Sequence, residues 1–222
     1  MLENTLEACL RAAALGAPMI EVDVQLAADG ELVVVHDWGL RRLAGDRRVV
    51  ERLAAAELAG VALALGERRG TAPALRALLA ALPPGYPVNV ELKRRHAPRA
   101  RFAAALAACA AGRGQLLVSS FDHALLAEVA AALPGVPLSP LERDDPARLL
   151  AAGERLGAWG LHCHRRLATA PLARAAAAAG RPLLVYTVNA AREARRLFAL
   201  GASGVFSDWP DRLLAALRAV RS

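Results

Sequence analysis

The chain has 222 residues, 55% of them hydrophobic and 22% charged. That is too apolar for a disordered chain and long enough for one domain with a full core. Its 28 basic residues against 21 acidic ones give a formal charge of +7, but only 4% of the chain is aromatic. The arginines fall singly along helical stretches, which argues against the interleaved basic and aromatic surface of a nucleic-acid binder.

In chain order, leucines and alanines recur at helical spacing from Asn4 to Leu15, with Asn4 or Thr5 as the N-cap and Gly16 as the stop. Residues 19–26 (MIEVDVQL) and the run ELVVVHD read as strands joined by a tight turn at Asp29-Gly30. An Arg-rich, weakly patterned insertion follows over 37–70, then a helical segment, TAPALRALLAAL, closed by Pro83, Pro84 and Gly85. Further strands are expected at 87–93, 115–121, 137–142, 158–164, 182–188 and 204–209, each separated by an Ala/Leu/Arg-rich helical stretch. Short apolar strands alternating with helices indicate a parallel sheet covered on its faces, hence a doubly wound sheet or a (β/α)₈ barrel. Polar residues at the strand C-terminal ends favour the TIM barrel, an α/β fold that builds its active site there. Residues 1–222 read as a single domain. With the hairpin partner set aside, seven principal strands can be counted, so an eighth is expected ahead of Met1.

No apolar run is long enough for a membrane span, and the opening stretch is interrupted by Glu7, Arg11 and Glu21, so neither an anchor nor a secretory leader is expected. Cys9, Cys109 and Cys163 form no C-x-x-C pair, as in a cytoplasmic protein with reduced thiols. Alanine is the commonest residue, and every basic residue is arginine except Lys93. A coding bias that replaces lysine wherever arginine serves makes Lys93 a candidate for a role that needs a compact ammonium.

Glu21 and Asp23 leave the same face of their strand, with backbone positions about 6.6 Å apart. Asn89, Glu91 and Lys93 repeat that spacing on a later strand. Buried like charges repel unless something positive lies among them, so this face suits a hard divalent cation; rim arginines pairing with the acids would be the ordinary structural alternative. His36 ends the run ELVVVHD, where its ring could exchange a proton. His162 and His164 share a face but have no partner ligand nearby in sequence, and His96 and His123 are expected in solvent.

The segments ENTLEA (3–8), IEVDVQLAADGELVVVHDWGLRR (20–42), VNVELK (88–93), VSSFD (118–122), YTVN (186–189) and GASGVFSDWPDRL (201–213) resemble, in order and spacing, the glycerophosphodiester phosphodiesterases. The resemblance covers nearly the whole chain. It implies a TIM barrel with a small insertion after the first acidic strand, and hydrolysis of glycerophosphodiesters to glycerol 3-phosphate and an alcohol. A divalent cation, Mg²⁺ or Ca²⁺, is implied with it. Glu21, Asp23 and Glu91 become the metal ligands, His36 one of two acid/base histidines, and Lys93 the group facing the phosphate. Ser119, Ser120 and Asn4 fall in matching motifs as substrate-orienting residues, and Tyr186 stands where many relatives have tryptophan, against the alcohol group. The implied partner is a small phosphodiester; oligomeric state is left open.

The family pattern also places a His-Arg-Gly at the end of its first strand, shortly before the ENT motif. Here Met1 and Leu2 stand just ahead of Glu3. Either that strand and histidine precede Met1, or the chain is a truncated barrel that binds an anionic phosphate ligand with impaired catalysis. Retention of the single lysine against the coding bias favours the first.

Overall fold

A computed structural model describes residues 1–110 and 114–218. In its first unit, Met1–Val118 with Ala127–Val136, helix α1 (Leu6–Ala14) starts at Thr5, whose hydroxyl accepts from Ala8 N at 3.2 Å and donates to Leu2 O at 2.9 Å. Thr5, not Asn4, is therefore the cap. Gly16, at φ 84°, supplies the left-handed turn that ends the helix.

Strands β1 (Ile20–Leu26) and β2 (Leu32–Val34) form the expected hairpin, with Leu26 opposite Leu32 and Gly30 at φ 89°. The insertion is more ordered than its weak patterning suggests. It holds α2 (Arg41–Ala44), a 3₁₀ turn at Val50–Arg52, α3 (Ala55–Ala59) and a hairpin of β3 (Leu63–Leu65) and β4 (Arg68–Gly70). Leu40, Leu43, Val50, Leu53, Leu58 and Leu63 are buried in one cluster with Leu2, Val33 and Val35. Each short element contributes only one or two of these side chains, so no strand or helix period is sustained long enough to be read. After α4 (Leu75–Ala81), β5 (Val88–Leu92) runs parallel to β1, and α5 (Arg99–Ala110) leads to β6 (Leu116–Ser120). The strand order here is β2-β1-β5-β6.

The second unit comprises Ser119–Leu126 and the chain from Pro137. Helix α6 (His123–Ala132) begins in it, followed by β7 (Leu138–Glu142), α7 (Pro146–Arg155), β8 (Leu161–His164), α8 (Ala170–Ala178), β9 (Leu183–Tyr186), α9 (Ala191–Ala199), β10 (Gly204–Val205) and α10 (Pro210–Arg218). The order is β7-β8-β9-β10, with parallel pairing throughout. Asp145 caps α7 and Thr169 caps α8, each with proline in the first turn. Leu161, Cys163, Leu183 and Val185 share one buried cluster with Leu149, Leu172 and Leu197 from the helices, which leaves His162 and Leu184 on the opposite strand face.

All seven principal strands expected from the sequence are present; 158–164 and 182–188 are shortened to β8 and β9, and 204–209 most of all, to β10. Past β10 backbone pairing runs on through Phe206, and the Asn189 side chain then takes over. Its Oδ1 accepts from Asp208 N at 2.9 Å and Ser207 Oγ at 3.1 Å, and its Nδ2 donates to Asp208 Oδ2 at 2.8 Å, so side-chain bonds replace the ladder. No helix among the described residues is long and apolar enough to cross a membrane.

Candidate active site

Parallel register places Glu21 beside Asn89 and Asp23 beside Glu91, and the period of two brings all four to one face of β1 and β5. One carboxylate oxygen from each of Glu21, Asp23 and Glu91 lies within 4.8 Å of the others. Asp23 is 7% exposed and Glu91 9%. Lys93 is the cationic partner of both: its Nζ is 2.8 Å from Glu91 Oε1 and 3.2 Å from Asp23 Oδ1.

Asn4 completes the hold on Asp23. Its Nδ2 donates to Asp23 Oδ2 at 2.8 Å and its Oδ1 accepts from Asp23 N at 3.0 Å. It does so from φ 55°, a conformation asparagine tolerates better than most residues.

The electrostatics follow from burial. Desolvation, with Asp23 adding to it, lifts Glu91 above the usual carboxylate range although Lys93 pulls the other way. For Lys93, burial works against the charge, but Asp23 and Glu91 outweigh it and raise the ammonium above its ordinary value. Three carboxylates share this face with the one ammonium. Asn89 Oδ1, buried beside them, has no hydrogen-bond partner among the described residues. Converging oxygen donors of this kind fit a hard divalent cation.

His36 stands just beyond β2, with its side chain 51% exposed and Nδ1 2.7 Å from Asp37 Oδ1. Buried Gln25, in phase with Glu21 and Asp23 along β1, donates through Nε2 to the carbonyls of Val35, His36 and Asp37 at 3.0, 3.2 and 2.7 Å. Sequence reasoning passed over Gln25, although its i, i+2, i+4 phase with the two acids was visible. It also passed over Asp37, Arg42 and Glu3. Arg42 bonds Asp37 through Nε at 2.6 Å and Nη2 at 3.1 Å, and Glu3 through Nη2 at 2.5 Å and Nη1 at 3.2 Å.

The remaining candidates belong to the second unit. Ser119 is fully buried, and its hydroxyl finds no partner among the described residues. Ser120 Oγ accepts from Asp122 N at 3.1 Å. Tyr186 donates through its hydroxyl to Glu142 O at 2.9 Å, and its ring meets Phe121 and His164 edge-on at 6.1 and 5.8 Å. Burial, then Arg143, Arg166 and Arg165, lower His164. His162 is wholly buried, and desolvation takes it down to about 3. No third metal ligand joins these two histidines among the described residues. His96 is exposed as expected, but His123 is not: it is 6% exposed, and its Nε2 lies 3.0 Å from Leu141 O, because the first turn of α6 packs inward.

The chain aligns with a phosphodiesterase of Oleispira antarctica, solved in complex with the product sn-glycerol-3-phosphate, at 26% identity and a TM-score of 0.89, over 97% of this chain and 91% of that one. It aligns with the glycerophosphodiester phosphodiesterase of Thermotoga maritima at 25% identity and a TM-score of 0.81, over 97% and 92%. The fold shared with these solved enzymes places the chain among the TIM-barrel phosphoric diester hydrolases. A glycerophosphodiester phosphodiesterase of Bacillus altitudinis is 30% identical over 224 residues, covering 95% of this chain and 90% of its own length. The profile of the glycerophosphoryl diester phosphodiesterase family matches residues 1–212, and the chain belongs to that family.

Proposed function

We propose that the chain hydrolyses glycerophosphodiesters, the deacylated forms of phospholipids, to glycerol 3-phosphate and an alcohol. The observation that carries this reading is the gathering of Glu21, Asp23 and Glu91 within 4.8 Å of one another, with Lys93 paired to Asp23 and Glu91. These three carboxylates would hold the divalent cation, Mg²⁺ or Ca²⁺, which when bound supplies Lewis-acid stabilisation of charge on the phosphoryl oxygens. Lys93 adds a fixed positive charge toward the phosphate. His36 works as general acid or base: water forms the new P–O bond, the bond to the alcohol oxygen breaks, and the proton given up by water is matched by one delivered to the leaving oxygen. Asn4 serves the substrate through Asp23, which it holds by two hydrogen bonds. Ser119, Ser120 and Tyr186 are assigned to substrate by the motifs they occupy. The free thiols Cys9, Cys109 and Cys163 suit a reducing cytoplasm.

The test is release of glycerol 3-phosphate from glycerophosphocholine, on the chain as given and on one preceded by a strand ending in His-Arg-Gly. Release that a chelator stops and Mg²⁺ or Ca²⁺ restores, and that Glu21→Ala or Asp23→Ala nearly abolishes, supports the reading. No release from either form, or release that a chelator leaves intact, overturns it. Glycerol 3-phosphate binding by calorimetry without turnover in either form would favour an anion-binding barrel.

A further inference from the structure

We infer that Glu3, Arg42 and Asp37 form a positioning relay for His36, in which the Asp37 carboxylate takes the Nδ1–H of the ring and leaves Nε2 as the nitrogen that exchanges the reacting proton. The inference rests on the acid/base role proposed for His36 and adds the residues that give the ring one tautomer and one aim.

An exposed imidazole has little packing to fix it. With its side chain 51% exposed, His36 depends on the 2.7 Å contact to Asp37 for orientation. A neutral imidazole carries one N–H, and the nitrogen that holds it is set by the bond the ring makes. A carboxylate at Nδ1 accepts that hydrogen, so Nε2 keeps the lone pair. Asp37 is suited to the task because it stays ionised: burial works the other way, but hydrogen bonds from Arg42 and His36 keep it below the usual carboxylate range.

Arg42 locks Asp37 in turn. Its Nε and Nη2 grip one carboxylate, while Nη2 and Nη1 grip the other, so a single planar fork spans Asp37 and Glu3. A lysine ammonium cannot reproduce that double bidentate geometry. The fork ties three parts of the first unit together: Glu3 precedes the Thr5 cap of α1, Arg42 lies on α2 of the insertion, and Asp37 follows β2. Gln25 fixes the main chain from beneath through the carbonyls of residues 35–37. Holding His36 on target is thereby a function for the start of the insertion.

Exposed ion pairs contribute little to stability. A relay that aims a ring and a surface pair that merely decorates it therefore make different predictions. Asp37→Asn, Arg42→Met, Arg42→Lys and Glu3→Gln should leave the thermal midpoint within about 4 °C of wild type. Turnover should fall without matching change in KM: about 10²-fold for Asp37→Asn, about tenfold for Arg42→Met and Arg42→Lys alike, and less for Glu3→Gln. The second readout needs no turnover. Nitrogen-15 NMR of the ring, assigned by the signal lost in His36→Gln, should show the Nδ1–H tautomer in wild type and a mixture in Asp37→Asn and Arg42→Met.

An unchanged tautomer in those two variants overturns the relay, as does unchanged turnover in both when His36→Gln is inactive. If the tautomer shifts but neither the chain as given nor the form preceded by a strand ending in His-Arg-Gly releases glycerol 3-phosphate, the relay holds and the hydrolytic reading fails. Full activity in Arg42→Lys overturns the fork as the reason for arginine.

Discussion

Two histidines in this chain stand at opposite extremes. His36 is half exposed and tethered through Asp37 to an ion-pair chain, whereas His162 is fully buried and neither ring nitrogen has a partner among the described residues. Their surroundings differ in the same way. The face of β1 and β5 pairs its buried charges with Lys93 and Asn4, while His162 meets the ring of Phe206 edge-on at 4.9 Å. Burial alone therefore does not mark a working residue. A histidine that moves protons needs access to them and a partner that sets its tautomer, and His36 has both.

The sharpest way to break this contrast is at the two rings. His36→Ala should lower glycerol 3-phosphate release by about 10²–10⁴-fold, the usual cost of losing a general acid or base, with no loss of folding stability in a urea titration. A smaller drop would return His36 to the class of ordinary surface residues. Lys93→Met tests the paired face by making it unpaired: with the carboxylates left without their ammonium, unfolding in chelator should come easier by about 3–5 kcal/mol. Mg²⁺ or Ca²⁺ should recover part of that loss, and no recovery would mean the acids do not hold a cation.

At His162 the contrast predicts a pH effect. The folded-state value, about 3, lies below the ordinary 6.5. Below pH 6.5 the unfolded chain takes up a proton that the folded chain refuses, so stability present above that pH is lost as pH falls toward 3, by up to about 1.4 kcal/mol per pH unit. His162→Leu should flatten this slope, and its advantage over wild type should grow between pH 6.5 and 4 in chemical denaturation; a parallel decline in both proteins would sink the explanation. The smallest effect belongs to Thr5→Ala, which removes one hydroxyl that caps α1 and bonds Leu2 O, and should cost about 1 kcal/mol of unfolding free energy.

The acidic face was readable because a strand has a fixed period: Glu21 and Asp23, then Asn89, Glu91 and Lys93, had to emerge together once β1 and β5 were assigned. The alternating strands and helices were legible for the same reason. What stayed hidden depends on contacts with no local signal. Glu3 and Arg42 lie 39 positions apart, and nothing in either segment announces the pair. Asn4 and Thr5 were interchangeable as caps until tertiary structure drew Asn4 to Asp23. The burial of His123 depends on which way the first turn of α6 faces, and its few flanking residues do not decide that.

Pairing of β1 with β5 runs Ile20 to Val88, Glu21 to Asn89, Val22 to Val90, Asp23 to Glu91 and Val24 to Leu92, polar beside polar and apolar beside apolar at every step. A one-residue insertion within β5 would turn every following side chain to the other face, sending Glu91 and Lys93 toward the helices and valine toward the acids. Two inserted residues would restore the facing but shift the ladder by a full pleat. Length variation along this part of the chain is thus confined to even steps or to the loops. The same arithmetic that builds the acidic face also sets the register of the ladder that carries it.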